Sequence, residues 1–243
     1  IGSGELMRPV NKGDSPYTEI DDYSKALPYL ESALGGYCSY CEYPIFHVPE
    51  VEHVAAKASG GSKTDWKNLL LGCKYCNTRK GTKVKPTNID EFLWPDVHNT
   101  ATAFTYENGV PRINEETLRR VDESGVALEK AKKLFTVLGF DNRPSLGNKD
   151  RRIQQRNKAY ELALESLEDW KKGKSEYPTH LEELKRQIVR NAEGHGFFSI
   201  WMTVFSEEKE LVQALIDAFP GTRTDCFDAE GHPKQELLEI TTI

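Results

Sequence analysis

Four cysteines stand in two pairs, Cys38-Ser39-Tyr40-Cys41 and Cys73-Lys74-Tyr75-Cys76, with 31 residues between them. A Cys-x-x-Cys knuckle offers two thiolates to one ion, and two knuckles close a tetrahedral site of the kind that holds one zinc. Four thiolates leave no position open for water, so such an ion folds the segment and does not react. A redox dithiol or plain buried thiols are the other readings, and the pairing of the knuckles favours zinc. Between them lies Val51-Glu52-His53-Val54, and the second knuckle runs on into Asn77-Thr78-Arg79-Lys80-Gly81. A carboxylate and an amide oxygen are hard ligands, suited to magnesium or manganese. A neutral histidine beside such an ion can take a proton from water. Glu52 and His53 point to opposite faces of a strand, although at a strand end both can border one site. Arg79 and Lys80 would then hold a phosphate. Singly, each has a plainer reading: His53 a core histidine, Asn77 a turn residue, Lys80 a solvated charge.

Charge supports a phosphate-facing surface. From 53 to 86 there are eight basic residues (Lys57, Lys63, Lys67, Lys74, Arg79, Lys80, Lys83 and Lys85) against Asp65, a balance of +7 that leaves −13 on the rest of a chain of net charge −6. A basic stretch inside an acidic chain is a candidate nucleic-acid face, and it serves DNA and RNA equally. No apolar run is long enough for a membrane-spanning helix. Reduced, paired cysteines with one left over suit an intracellular compartment. Residues 1–6 read as an expression linker ahead of Met7.

The elements that must position these residues follow from periodicity. Residues 7–19 read as an extended arm, and Tyr23, Ala26, Leu27, Leu30 and Leu34 predict a helix in which Pro28 is a kink or a boundary. The stretch 37–86 is Gly-rich and weakly periodic, as expected of a module ordered by a metal. Alternation about Asn108-Gly109 predicts a hairpin. Beyond it, Asn114 caps one helix carrying Leu118, Val121, Leu128, Ala131, Phe135 and Leu138. A second carries Ile153, Tyr160, Ala163, Leu164, Leu167 and Trp170, with Gly173 as its stop. A third opens on a capping box at Thr179-His180-Leu181-Glu182. Residues 197–205 read as buried, and Ser206 as the cap of a last helix. His98, His180, His195 and His232 are isolated, and Cys226 has no partner.

Knuckle, Glu-His, Gly60-Gly61, Asn68-Leu69-Leu70, knuckle-Asn and Lys-Gly follow one another within 44 residues. This arrangement resembles the HNH endonucleases, whose ββα-metal fold is often braced by a four-cysteine zinc site. The resemblance implies that His53 is the general base, that Glu52 and Asn77 hold the catalytic divalent ion (magnesium or manganese), and that Asn68 holds the loop and orients His53. Two positions depart from that pattern: Glu52 stands where Asp is usual, and Ala56 where proline is usual. More narrowly, Met7-Arg8-Pro9-Val10-Asn11-Lys12-Gly13 and Gly36-Tyr37-Cys38-Ser39-Tyr40-Cys41-Glu42 resemble PtuB, the HNH subunit of Septu-type antiphage systems, also found with some retrons. Leu138-Gly139-Phe140 and Phe219-Pro220-Gly221-Thr222 fit its helical portion. That likeness implies a bacterial, cytoplasmic protein and an ABC/SMC-like ATPase partner, PtuA, docked on the acidic helical part. The expected fold is α+β, mainly α: arm, helix and zinc-braced HNH module over 7–100, then a hairpin and a helical partner-binding region over 101–243. The rival reading is a zinc-knuckle module without catalysis that binds nucleic acid or protein.

Overall fold

The computed structural model describes residues 7–140 and 150–236, so the reading of residues 1–6 lies outside it. Among the described residues there are eight α-helices and four strands. Helices dominate, as an α+β, mainly α chain requires, and the strands form two separate antiparallel pairs.

The arm is extended and mostly buried around Met7–Val10, which seats it between the two halves of the molecule. Arg8 donates from Nη1 to the Pro220 carbonyl at 2.7 Å and from Nη2 to the Leu34 carbonyl at 3.0 Å. Lys12 pairs with Asp96 at 2.9 Å and also donates to the Leu69 carbonyl at 2.8 Å. These buried cations satisfy carbonyls that the irregular chain around them leaves without donors.

A short 3₁₀ turn leads into helix α1, Leu27–Leu34, and Pro28 stands in the first turn. There it starts the helix and does not kink it, because a first-turn residue needs no amide donor. Strand β1, Glu50–His53, pairs antiparallel with β2, Leu69–Gly72, in the register Glu52↔Leu70 and His53↔Leu69. Helix α2, Lys74–Lys80, follows at once, the Cys73 sulfur accepting from the Cys76 amide of its first turn. This module has more core than its weak periodicity predicts. Leu69, Leu70 and Leu71 are wholly buried on both faces of a short strand, where alternation vanishes.

Strands β3, Phe104–Glu107, and β4, Val110–Ile113, form the expected hairpin, with Asn108 and Gly109 both at positive φ. The single helix expected after Asn114 is two: α3, Glu115–Val121, and α4, Val126–Val137. Asp122 makes the break, since its carboxylate accepts from the Ser124 and Ala127 amides and so starts a new helix. Helix α5, Arg152–Glu176, runs through Gly173, which is not a stop. A side chain there would come within 3.0 Å of Leu184, so the glycine lets the next helix approach. The buried face of α5 matches the apolar stripe read from sequence only in part, at Ala163 and Trp170 with Tyr160 and Leu167 partly buried beside them. It is Arg152, Arg156, Ala159, Ala163, Ser166, Trp170 and Gly173, while Leu164 is exposed. Helix α6, Leu181–His195, lacks the expected capping box, because the Thr179 hydroxyl bonds the His180 ring. Helix α7, Phe198–Val204, is nearly all buried, and α8, Lys209–Ala218, is preceded by Glu208 as cap residue rather than Ser206.

Two apolar clusters result. One runs from Met7 to Phe140 and takes in the knuckles, β2, α3 and α4. The other joins α5 to α8 with Tyr37 and Phe227, and Tyr43 and Tyr106 pack against both. Cys226 lies wholly buried in the second, its thiol pushed up to about 12 by that burial, which makes it an inert packing residue. No helix among the described residues is long and apolar enough to cross a membrane.

Candidate active site and metal centre

Cys38, Cys41, Cys73 and Cys76 are all buried, and their sulfurs lie within 4.8 Å of one another. The sulfurs of Cys41 and Cys73 are 3.6 Å apart, the spacing expected around a shared ion without a disulfide. The Cys76 amide donates to the Cys73 sulfur at 3.4 Å, the inward-turned amide of a knuckle. Two loops from distant parts of the sequence therefore present a closed set of four soft donors, which fits zinc. Among the described residues no second group of three or more His, Cys, Asp or Glu side chains converges in this way.

An open cleft of about 500 Å³ lies beside the module. It is lined by Tyr23 and Leu27 from the α1 side, Glu50 and His53 from β1, Lys57 from the loop, and Asn77 and Lys80 from α2. His53 ends β1, and its Nε2 lies 2.9 Å from the Lys63 carbonyl. A carbonyl only accepts, so Nε2 carries the proton and Nδ1 the lone pair. Burial holds the imidazolium below the ordinary histidine range against the Lys63 carbonyl, which favours it, and the charges of Lys57 and Lys80 add to the depression. At neutral pH the ring is a free base. Tyr23 meets it edge-on at 4.9 Å, and the Lys57 ammonium sits 3.9 Å over the Tyr23 ring.

Asn68 shapes the loop that leads away from His53. Its Oδ1 accepts from the Ala55 amide at 2.8 Å, and its Nδ2 donates to the Ala55 and Ser62 carbonyls at 3.0 and 2.6 Å. A side chain at Gly61 would run into the Ala55 carbonyl at 2.0 Å, so the turn closes tightly against the strand end.

Asn77 lines the cleft and donates to Glu50 Oε2 at 2.7 Å. Glu52 is placed differently. It is buried, its Oε1 pairs with the Lys80 ammonium at 2.9 Å, and its Oε2 has no hydrogen-bond partner. Burial pushes its carboxyl up, opposed by the Lys80 charge. Lys80 also donates to the His53 and Val54 carbonyls at 2.7 and 3.1 Å and is itself buried. The structure thus brings His53, Asn77, Glu50 and part of Lys80 to the cleft wall, with Asn68 holding the loop and Glu52 buried and paired to Lys80. Lys80 is held inward, whereas Lys57, Lys63, Lys67, Lys74, Arg79, Lys83 and Lys85 are exposed. One of the eight basic residues of the stretch is therefore neutralised from within.

Glu50 has no place in the sequence reading, while Tyr23 enters it only as a helix residue and Lys57 only as part of the basic stretch. Glu50 was detectable, since the two-residue strand period puts it on the face of Glu52, and α2 spaces Asn77 and Lys80 one turn apart to meet the two acids. Tyr23 carries no site signal in the sequence, because the 3₁₀ turn before α1 reaches the cleft only in three dimensions.

Residues 38–83 match the family model of HNH endonuclease. No curated protein and no solved structure matches the chain. The matched segment includes all four cysteines, His53 and Asn77, and it supports a nuclease-type function.

Proposed function

We propose that the protein is a metal-dependent nuclease that hydrolyses phosphodiester bonds, with His53 as general base. The observation that carries this reading is the His53 ring: neutral, fixed through Nε2 by the Lys63 carbonyl, and lining an open cleft with Asn77 and Glu50. A ring so held presents Nδ1 to a water molecule and takes its proton as the oxygen attacks phosphorus. The donor set suits a hard divalent ion, magnesium or manganese: the Asn77 amide oxygen, the Glu50 carboxylate beside it, and the buried Glu52 Oε2 that no protein donor satisfies. Such an ion, when bound, stabilises negative charge on the scissile phosphate and the leaving 3′ oxygen. Asn68 keeps the loop after β1 closed, so the His53 backbone cannot drift. Lys80 anchors Glu52 and the His53 carbonyl, which makes it a positioning residue. Lys57 and Arg79 remain to meet the phosphate backbone. Zinc in the four-cysteine centre keeps the second knuckle, and hence Asn77, in register with β1.

The test is cleavage of plasmid and of single-stranded RNA, with magnesium, manganese or chelator, by the wild type and His53→Ala. Divalent-dependent cleavage that disappears in His53→Ala supports the reading. Metal-independent cleavage, or activity retained by His53→Ala, overturns it. One observation favours the alternative, a zinc-knuckle module without catalysis: Lys80 already neutralises Glu52 from inside. Specific nucleic-acid binding without cleavage of either substrate would establish that alternative.

We further propose that it acts as the effector subunit of a Septu-type antiphage complex with a PtuA-like ATPase. Support comes from the PtuB-like arm and knuckle sequences and from the division between a basic module and an acidic remainder. Residues 114–243 would supply most of the docking surface, where Val126, Leu164 and Tyr177 expose apolar side chains. Copurification of the full chain with a neighbouring ATPase, lost in Leu164→Asp/Tyr177→Asp, is the expected result. Retention of the ATPase by that variant counts against this surface.

A further inference from the structure

Arg152 opens α5, outside the segment that matches the nuclease family, and its side chain is wholly buried. Its Nη1 donates to the Cys76 sulfur at 3.2 Å. Its Nη2 donates to the Leu138 carbonyl at 2.9 Å, and Asp150 holds Nε and Nη2 at 3.0 and 2.7 Å. The Phe140 ring flanks this guanidinium and that of Arg156, one turn on, at 5.4 and 5.7 Å. Burying an arginine is costly, and Asp150 with the Leu138 and Gly139 carbonyls offsets part of that cost. The further bond to sulfur needs its own reason. A thiol is a weak acceptor, whereas a metal-bound thiolate is charged, and four thiolates around a divalent ion keep a net charge of about −2 in a buried place. A planar, permanently charged donor is the group that relieves such a charge.

We propose that Arg152 is a positioning residue of the metal centre. It stabilises the Cys76 thiolate in its metal-bound form and thereby couples retention of zinc to the seating of α5. The proposal rests on the zinc reading given above. A second tie keeps the two halves together without it: Glu42, next to Cys41, accepts from the Ser199 amide at 2.9 Å, and the Phe197 amide donates to the Glu42 carbonyl at 3.0 Å. Arg152 variants can therefore keep the fold while losing the coupling.

The test compares full-length wild type, Arg152→Lys, Arg152→Met and Asp150→Asn by zinc content, competition with a chromogenic chelator, and the absorption of the cobalt-substituted protein. Arg152→Met should hold zinc about 10- to 100-fold more weakly, the range for residues that orient metal ligands, with Arg152→Lys and Asp150→Asn in between. The thiolate-to-cobalt charge-transfer band should move to lower energy in Arg152→Met, because a thiolate without its donor gives up an electron more easily. A purely packing role would leave that band in place. In the wild type, zinc removal should speed amide exchange at 152–160 as well as in the knuckles, a measurement that needs no variant. Zinc bound with unchanged affinity and an unmoved band in Arg152→Met would refute the role of Arg152 alone. A wild type that binds no zinc would remove the metal reading with it.

Discussion

Replacing Lys80 by methionine separates the two roles its position allows. Its ammonium pairs with Glu52 at 2.9 Å and donates to the carbonyls of His53 and Val54, and both residues of the pair are buried. Lys80→Met would leave a carboxylate in the interior without its cation and two carbonyls without a donor. Breaking a buried pair from one side costs about 3–5 kcal/mol, the greater part being the penalty of the charge left behind. For a chain of this size that lowers Tm by roughly 6–20 °C. Adding Glu52→Gln removes the stranded charge, so Lys80→Met/Glu52→Gln should recover more than half of the loss. The assay is urea unfolding followed by tryptophan fluorescence and circular dichroism, with the m-value checked for constancy. A phosphate-holding lysine behaves differently: its loss raises KM for nucleic acid and leaves Tm alone. A Tm within about 2 °C of wild type, equivalent to less than 1 kcal/mol, with weakened substrate binding would refute the buried-anchor role.

Cys76→Ser should abolish zinc retention and open residues 37–86 to protease, while metal analysis of the wild type finds about one zinc per chain. Asn68→Ala removes three hydrogen bonds from the loop after β1 and should cost about 2–3 kcal/mol in unfolding, with cleavage falling alongside as His53 loses its fixed place. Asn77→Ala should leave stability nearly unchanged and lose cleavage that excess magnesium or manganese partly restores, as measured by titration of the divalent ion. Glu208 gives a pH test away from the four-cysteine cluster and the cleft. Burial works against its charge, but the Lys174 ammonium at 2.7 Å and the Trp170 N–H at 2.9 Å prevail and hold its carboxyl below the ordinary range. A carboxylate depressed in the folded state contributes stability above its unfolded pKa and loses it as pH falls through the folded value. Glu208→Gln should therefore be about 1 kcal/mol less stable than wild type at neutral pH and equal to it in acid, by paired urea titrations.

Local spacing was enough to bring the four cysteines into one predicted cluster. Two knuckles specify a four-thiolate centre whatever lies between them, because each turn brings its own pair of sulfurs together. Asn108-Gly109 specifies a hairpin and Asn114 a helix start for the same reason: the deciding interactions span only a few residues. Where a long-range contact decides, the residue types alone mislead. Gly173 looks like a stop but admits α6, and the buried face of α5 opens on Arg152 and Arg156, the first of which finds a partner in the Cys76 sulfur. Lys80 looks solvated, yet it is drawn in by a carboxylate and two carbonyls from β1, 27 residues earlier or nearly so. Glu50 and Glu52 are chemically alike and share a face of β1, and only the packing of α2 on it sets one in the cleft beside Asn77 and buries the other against Lys80. Types and spacing name the groups able to bind metal, move a proton or carry charge. Desolvation in the folded chain decides which of them face the solvent and which are used up inside, and it depends on neighbours far away in sequence.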